Sequence, residues 1–262
     1  MSLTSKSPAD TYKDLLKIGN SNNGVDNTAR DIETGNGAST SLKVSNRSCL
    51  VTSSTDNTSA FSVRSSTGTY MINADTTNSQ VKVLDKHVNT QYATFGVSSG
   101  NSANYAADTH YPIPFNSMMQ SITLQEDITF GTSGEPATTF TTADGAGTDA
   151  SLLVPMMWYL PDSISIDGVY SLEGLEAGST LTTRCHLYSY TFTSGSTSAL
   201  TSGTLLAHNS DVTNAGSEQA YLSTWTVDSA SVTAGKVILA FFRIDSSADN
   251  PSVSITVKYH LT

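Results

Sequence analysis

The sequence predicts an all-β protein, and three observations carry that expectation. Charged residues make up only 14 % of the chain, well under the roughly 25 % of an average soluble domain. From about residue 41 onward, short apolar runs alternate with turns of Ser, Thr, Asn and Gly. Near the C-terminus Val253, Ile255, Val257, Tyr259 and Leu261 fall on one side of an extended segment, and Ser254, Thr256, Lys258 and His260 fall on the other. Thr fits a pleated surface and Asn and Gly fit turns, whereas a helical bundle would need more Ala, Leu, Glu and Lys.

The first segment, 1–40, reads as an arm. Pro8, Ala9 and Asp10 lead into an apolar stripe of Tyr12, Leu15, Leu16 and Ile18, closed by Gly19 and Asn20, which predicts a short helix over 11–18. Two turns of helix cannot stand alone, so these four side chains are the candidate attachment surface. The Asn- and Gly-rich stretch 20–37 reads as an irregular linker.

Over 41–110 the strands are thin and recur about every ten residues: Leu42-Lys43-Val44, Leu50-Val51, Phe61-Ser62-Val63, Tyr70-Met71-Ile72, Val81-Lys82-Val83 and Phe95-Gly96-Val97. Runs this short cannot enclose a core within one chain, and repeated thin strands imply stacking or intertwining with copies of themselves. The expected partner is the same protein, as a homotrimer. Its β shaft would bury Leu42, Val44, Phe61, Val63, Ile72, Val81 and Val83 along a threefold axis. The run His110-Tyr111-Pro112-Ile113-Pro114-Phe115 breaks both helix and central strand and places a boundary near residue 110. Beyond it, over 111–262, about eight longer strands joined by Gly, Ser and Asp turns predict an antiparallel β-sandwich of the jelly-roll kind. Lys236 to Phe242 is apolar almost throughout and is expected at the centre of a sheet.

Bulk charge narrows the partners. A net charge of −10 and a pI near 4.7 oppose a phosphate backbone, and Lys13, Lys17, Arg30, Lys43, Arg47 and Arg64 are scattered singly, so no nucleic-acid partner is expected. Cys49 and Cys185 form neither a disulfide framework nor a zinc spacing and read as small, partly buried hydrophobes. The start of the chain lacks the pattern of a signal peptide, and no apolar run reaches membrane-spanning length. A soluble product made in a cytoplasm, without membrane insertion, is the expectation.

The segments from Ser7 to Leu16 and Asn20 to Asp26, followed by Ser41-Leu42-Lys43-Val44, resemble the N-terminal part of fiber and decoration proteins on the particles of tailed bacteriophages, especially those of marine bacteria. Ala74-Asp75-Thr76-Thr77-Asn78-Ser79-Gln80-Val81-Lys82-Val83 is similar to shaft repeats of the same group. The resemblance covers roughly the first hundred residues. It implies an N-terminal attachment segment docking to other capsid or tail proteins, a trimeric shaft and a distal head on the virion surface.

Candidate chemistry is sparse. His87, His110, His186, His208 and His260 never occur at metal-ligand spacings and read as surface or satisfied core groups. No Gly-x-Ser-x-Gly turn is present. Asp144 with Asp149, and Asp245 with Asp249 and Asn250, could offer oxygens to calcium, but neither matches an EF-hand, and ordinary Asp/Asn turns explain them. Glu126-Asp127 and Glu173 with Glu176 could serve a glycosidase only if they faced each other across a sugar. Tyr188, Tyr190, Phe192, Tyr221 and Trp225 are candidates to hold a host-surface glycan, although their spacing equally makes a core face. Met156-Met157-Trp158-Tyr159 reads as packing. The resulting expectation is a non-enzymatic structural protein with no cofactor and no metal, whose head adheres to a host surface or coats the shell. The alternative is a tail fiber with polysaccharide depolymerase or esterase activity.

Overall fold

The computed structural model describes residues 16–21, 23–98, 107–116, 118–119, 153–175, 181–195, 200–245 and 251–262. The chain is all-β, with a single 3-10 turn at Val154–Met156 among the described residues, and it divides into two compact units at Val88/Asn89.

The first unit holds two four-stranded antiparallel meanders. One comprises β1 (Lys17–Ile18), β2 (Arg30–Glu33), β3 (Ser39–Val44) and β4 (Cys49–Val51), paired in chain order. The other comprises β5 (Phe61–Arg64), β6 (Tyr70–Asp75), β7 (Gln80–Val83) and β8 (Lys86–His87), again in chain order. Each reversal is set by local chemistry. At the β6–β7 turn the Asp75 carboxylate accepts the Asn78 backbone N–H at 2.9 Å and its side-chain amide at 2.8 Å. These two bonds, the side-chain amide first, hold the Asp75 carboxyl below the usual carboxylate range. At the β5–β6 turn Gly68 takes φ +87°, the left-handed region that glycine enters without steric cost.

Two expectations for this region are corrected. The helix over 11–18 falls largely outside the described residues, but its last two positions form β1. Ile18 lies opposite Ile32 and Lys17 opposite Glu33, with the Gly19 N–H donating to the Asp31 carbonyl at 2.9 Å, so this backbone is satisfied across a ladder. The linker over 20–37 contains β2, which Lys43 and Asp31 tie to β3 through a 3.0 Å ion pair.

The second unit is a β-sandwich. Its longer strands are β9 (Thr90–Ser98), β10 (Thr109–Ile113), then, after the short β11 (Met118–Met119) and β12 (Trp158–Tyr159), β13 (Ile164–Leu175), β14 (Thr182–Thr191) and β15 (Thr201–His208). Short β16 (Val212–Thr213) is followed by β17 (Gln219–Thr224), β18 (Thr226–Val227), β19 (Ser231–Val232), β20 (Lys236–Ile244) and β21 (Ser252–Leu261). One sheet runs β11-β9-β21-β13-β17 and the other β10-β20-β14-β15-β18. Of the eight longer strands, β9, β13, β17 and β21 form one sheet and β10, β14, β15 and β20 the other, with early and late strands side by side: β9 beside β21, β10 beside β20. This is the strand order of a jelly roll, in which two Greek keys leave each sheet with one face to bury on the other.

The expected shaft–head boundary near 110 thus lies earlier. β9 belongs to the sandwich because Ala93, Phe95 and Val97 point into its core beside Val253, Ile255 and Val257. Pro112 does not interrupt the sheet, because β10 is its edge strand and one side of that strand needs no donor.

Between the sheets lie Phe95, Ile113, Val169, Leu187, Ala240, Phe242, Val253 and Ile255, all essentially without exposure. The sheet of β20 and β14 is apolar on its inner face and over one part of its outer face. Its outer side carries Tyr188, Tyr190, Val237, Leu239 and Phe241, covered in part by Leu153, Met156 and Leu200. That double burial explains why 236–242 reads as a continuous apolar run. The clean alternation of β21 reports a strand covered on one face only, although Leu261 at its end is exposed and His260 is buried.

A polar hub sits within this apolar interior. Glu173 on β13 is fully buried, and its carboxylate accepts the Ser171 hydroxyl at 2.7 Å, the Thr183 hydroxyl at 2.7 Å and the Asn209 amide at 2.8 Å. Trp225 Nε1–H donates to Ser171 Oγ at 2.8 Å, and the Cys185 backbone N–H donates to Asn209 Oδ1 at 2.7 Å. Thr183 and Cys185 belong to the opposite sheet, so the hub ties the two layers. Leucine at 173 would leave three buried donors without an acceptor. Glu173→Leu is expected to lower stability by about 3–5 kcal/mol, and Glu173→Gln by less because one acceptor oxygen survives. Urea unfolding followed by tryptophan fluorescence measures both.

Candidate functional site

The second meander presents one continuous apolar face. Phe61 lies opposite Ala74, which lies opposite Val81; Val63 lies opposite Ile72, which lies opposite Val83. Two cross-strand rows therefore stand side by side on the same face, while Ser62, Asn73, Lys82 and His87 occupy the other. In the first meander Leu42 pairs with Val51 and Val44 with Cys49 on one face. Leu42, Phe61, Val63, Ile72, Val81 and Val83 are each between 37 % and 46 % exposed, and Val44 is half-buried. The expected axis residues thus lie on shared strand faces, and within one chain those faces remain open to water.

Of the expected attachment residues, Tyr12 and Leu15 lie outside the described residues. Leu16 is exposed, and half-buried Ile18 sits in β1. Among the aromatics, Tyr188, Tyr190 and Trp225 are buried, which excludes them from a platform. Tyr188 and Tyr190 stack at 6.0 Å and meet Phe241 edge-on. Phe192 is on the rim at 37 % exposure, and Tyr221 donates its hydroxyl to Gln219 at 2.6 Å. Met156 and Trp158 pack as expected, whereas Tyr159 is exposed. Cys49 is exposed and Cys185 buried; burial, and then the Glu173 charge, push the Cys185 thiol well up, so it is an inert packing group.

The carboxylate candidates separate clearly. Asp144, Asp149, Asp249, Asn250, Glu126, Asp127 and Glu176 lie outside the described residues. Asp245 accepts the Thr182 backbone N–H at 2.8 Å, an ordinary strand-end contact. Glu173 has its oxygens committed to the inter-sheet hub.

Sequence spacing missed the histidines that share a face. His110 on β10, His186 on β14 and His208 on β15 all sit on the outer side of their sheet; the His110 and His186 rings are 5.1 Å apart, and His186 stacks on His208 at 6.4 Å. Arg243 pairs in register with both His110 and Arg184. Arg243 has Asp108 within 3.6 Å and Arg184 has Asp211 within 3.9 Å, and His208 Nδ1 lies 2.8 Å from the Asp228 carboxylate. A second pair forms at the β13 bulge, where the unpaired Asp167 meets His260 Nδ1 at 2.9 Å. These residues are far apart in sequence and meet only through strand register, so no local spacing could announce them.

Burial, followed by the nearby Arg184, His208 and Arg243 charges, pushes the His186 pKa down to about 3 from its ordinary 6.5. An unfolded chain takes up a proton there well before the folded one does. Stability is therefore full above pH 6.5 and falls as pH drops towards 3, by about 1.4 kcal/mol per pH unit from this group alone.

No protein-family model matches the chain, and no curated protein matches it.

Between pH 6 and 4.5, before most carboxylates titrate, the urea midpoint of the protein is expected to fall. His186→Gln, which cannot titrate, should flatten that slope. An unchanged slope would place the acid sensitivity elsewhere.

Proposed function

We propose that this chain is a non-enzymatic structural subunit of a virus particle, a short fiber or decoration protein of a tailed bacteriophage. It assembles as a homotrimer through the meanders of its first unit and presents the jelly roll as its head. The observation that carries the reading is the open apolar face of Phe61, Val63, Ile72, Ala74, Val81 and Val83. A four-stranded sheet with one greasy face needs a second layer, and the meander's own chain leaves Phe61, Val63, Ile72, Val81 and Val83 each 40–46 % exposed. Identical copies supply the same surface at no further cost in sequence, and a closed ring satisfies all of them at once.

The jelly roll supports the reading by analogy of fold, since capsid and lectin domains use it, and fold alone never fixes function. The N-terminal resemblance to phage fiber and decoration proteins supplies the particle. Anchorage to other capsid or tail proteins would fall to the arm over 1–40, which carries Leu16 and Ile18, and adhesion to a host surface glycan to the head. The low charge suits this role: hydroxyl-rich sheets stay hydrated without strong fields.

Native mass measurement of the full chain at micromolar concentration is expected to return three copies. Val63→Asp with Ile72→Asp should release monomers whose tryptophan fluorescence is unchanged, because both tryptophans lie in the sandwich. A wild-type monomer sinks the reading. Incubation with host envelope polysaccharide is expected to release neither reducing ends nor acetate, and turnover would favour the depolymerase or esterase alternative.

A further inference from the structure

The outer face of the β9-β21-β13-β17 sheet combines exposed apolar side chains with very little charge. Leu172 on β13 and Leu222 on β17 are direct cross-strand partners, 58 % and 74 % exposed. Tyr170, also on β13, is 39 % exposed, and Tyr92 on β9 is 65 % exposed opposite Lys258. Tyr170 lies flat on the sheet. Its hydroxyl oxygen comes within 2.9 Å of where a Cβ on Gly168 would stand, so the missing side chain at 168 lets the ring fold down along the strand. Between these residues the outward positions are Thr94, Ser254, Thr256 and Thr224, aligned in register with Tyr170 and Leu172.

We infer that this face is a second self-association surface, on which the head of one copy packs against the head of another. The inference rests on the homo-oligomeric reading above and names a further contact within it. Two arguments select a second copy as the occupant. The first is charge: in a chain of net charge −10, most surfaces of two copies repel, and like charges across a contact cost several kcal/mol. Among the described residues of this face Lys258 is the charged side chain, apart from the Asp167–His260 pair at one end, so these strands of two copies can meet without opposing carboxylates. The second is area. The four apolar side chains expose on the order of 400 Å², taking a whole large side chain at roughly 150–250 Å², about half of the ~800 Å² per partner in a standard interface. The surrounding Ser and Thr hydroxyls can supply a polar rim.

A glycan fits less well. The outward residues around Tyr170 are Thr, Ser and Leu, without the carboxylates or amides whose paired atoms grip sugar hydroxyls. An aliphatic Leu172–Leu222 pair offers no ring to stack on. Chain order is consistent with a head–head contact: β9, which carries Tyr92, begins at Thr90, directly after β8 ends at His87, so the sheet that bears this face is the one the shared first unit leads into.

Thiol labelling of the full chain tests the inference. In a Cys49→Ser background, with Cys185 buried, Thr224→Cys reports the face and Val154→Cys, 62 % exposed, reports an open surface. In the native oligomer Thr224→Cys is expected to react with a maleimide about tenfold more slowly than Val154→Cys, as buried interface positions do. Adding Leu172→Glu and Leu222→Glu should restore fast labelling while the native mass, held by the first unit, stays unchanged. A native mass of one copy removes the homo-oligomeric reading and this contact with it. An oligomer in which Thr224→Cys reacts as fast as Val154→Cys overturns the head–head contact alone. Protection that appears only when host polysaccharide is added overturns it in favour of a receptor surface.

Discussion

A β-sheet with one apolar face must find a second layer, and that requirement organises this chain. The jelly roll meets it internally. Its eight longer strands divide four and four between two sheets, so each inward row, Phe95 and Val97 on β9 or Phe242 and Ile244 on β20, closes on the other sheet. The sheet of β20 and β14 is covered a second time, around Tyr190 and Phe241, which makes it the most deeply buried layer of the unit. The meanders of the first unit have the same one-sided pattern, and among the described residues their apolar faces stay about two-fifths exposed. The same physical rule therefore yields a closed domain in one unit and an open surface in the other.

Packing between sheets is non-directional, and apolar contacts alone would tolerate sliding of one layer on the other. The Glu173 hub removes that freedom. Its three donors come from β13 itself, from β14 across the sandwich and from Asn209 just after β15, so a shift of either sheet breaks charge-assisted bonds in a low dielectric. Asn209 is doubly engaged, donating to Glu173 and accepting from the Cys185 backbone. A buried carboxylate is a costly device for stability alone; here it sets the alignment of two layers that are otherwise held by shape.

The legibility of this fold in the sequence follows the range of the interactions involved. Alternation is local, so β21 and the thin strands Phe61–Arg64 and Gln80–Val83 can be read directly, as can the buried centre at 236–242. Competition between local and cross-strand satisfaction is not local. Ile18 completes an apolar stripe of helical spacing, yet its partner is Ile32 in a ladder; β2 hides in an Asn-rich stretch because Arg30 and Asp31 gain their worth from Asp26 and Lys43. The His110–His186–His208 row and the Glu173 hub depend on register between strands many residues apart, and nothing in their immediate neighbourhoods marks them. Tyr188 and Tyr190 show the limit from the other side: a period of two identifies a shared face, and only the second apolar cluster decides that the face is buried.

The two open surfaces differ in a way that bears on assembly. The meander face is apolar and narrow, with Lys82 and His87 on its reverse, and each copy holds its strands by turns and ladders alone. The head face is broader, built on a sheet that is already stable because its inward side is packed. In the proposed assembly the first unit gains its second layer only when copies meet, so its stability depends on subunit concentration, as for any obligate oligomer. The head folds independently of that event and can then add contact area to an encounter already made. Weak head–head attraction is sufficient under those conditions, because copies joined through one unit experience each other at a high effective concentration. A moderately apolar face bordered by hydroxyls, too small to drive association of free heads in dilute solution, is the kind of surface such a division requires.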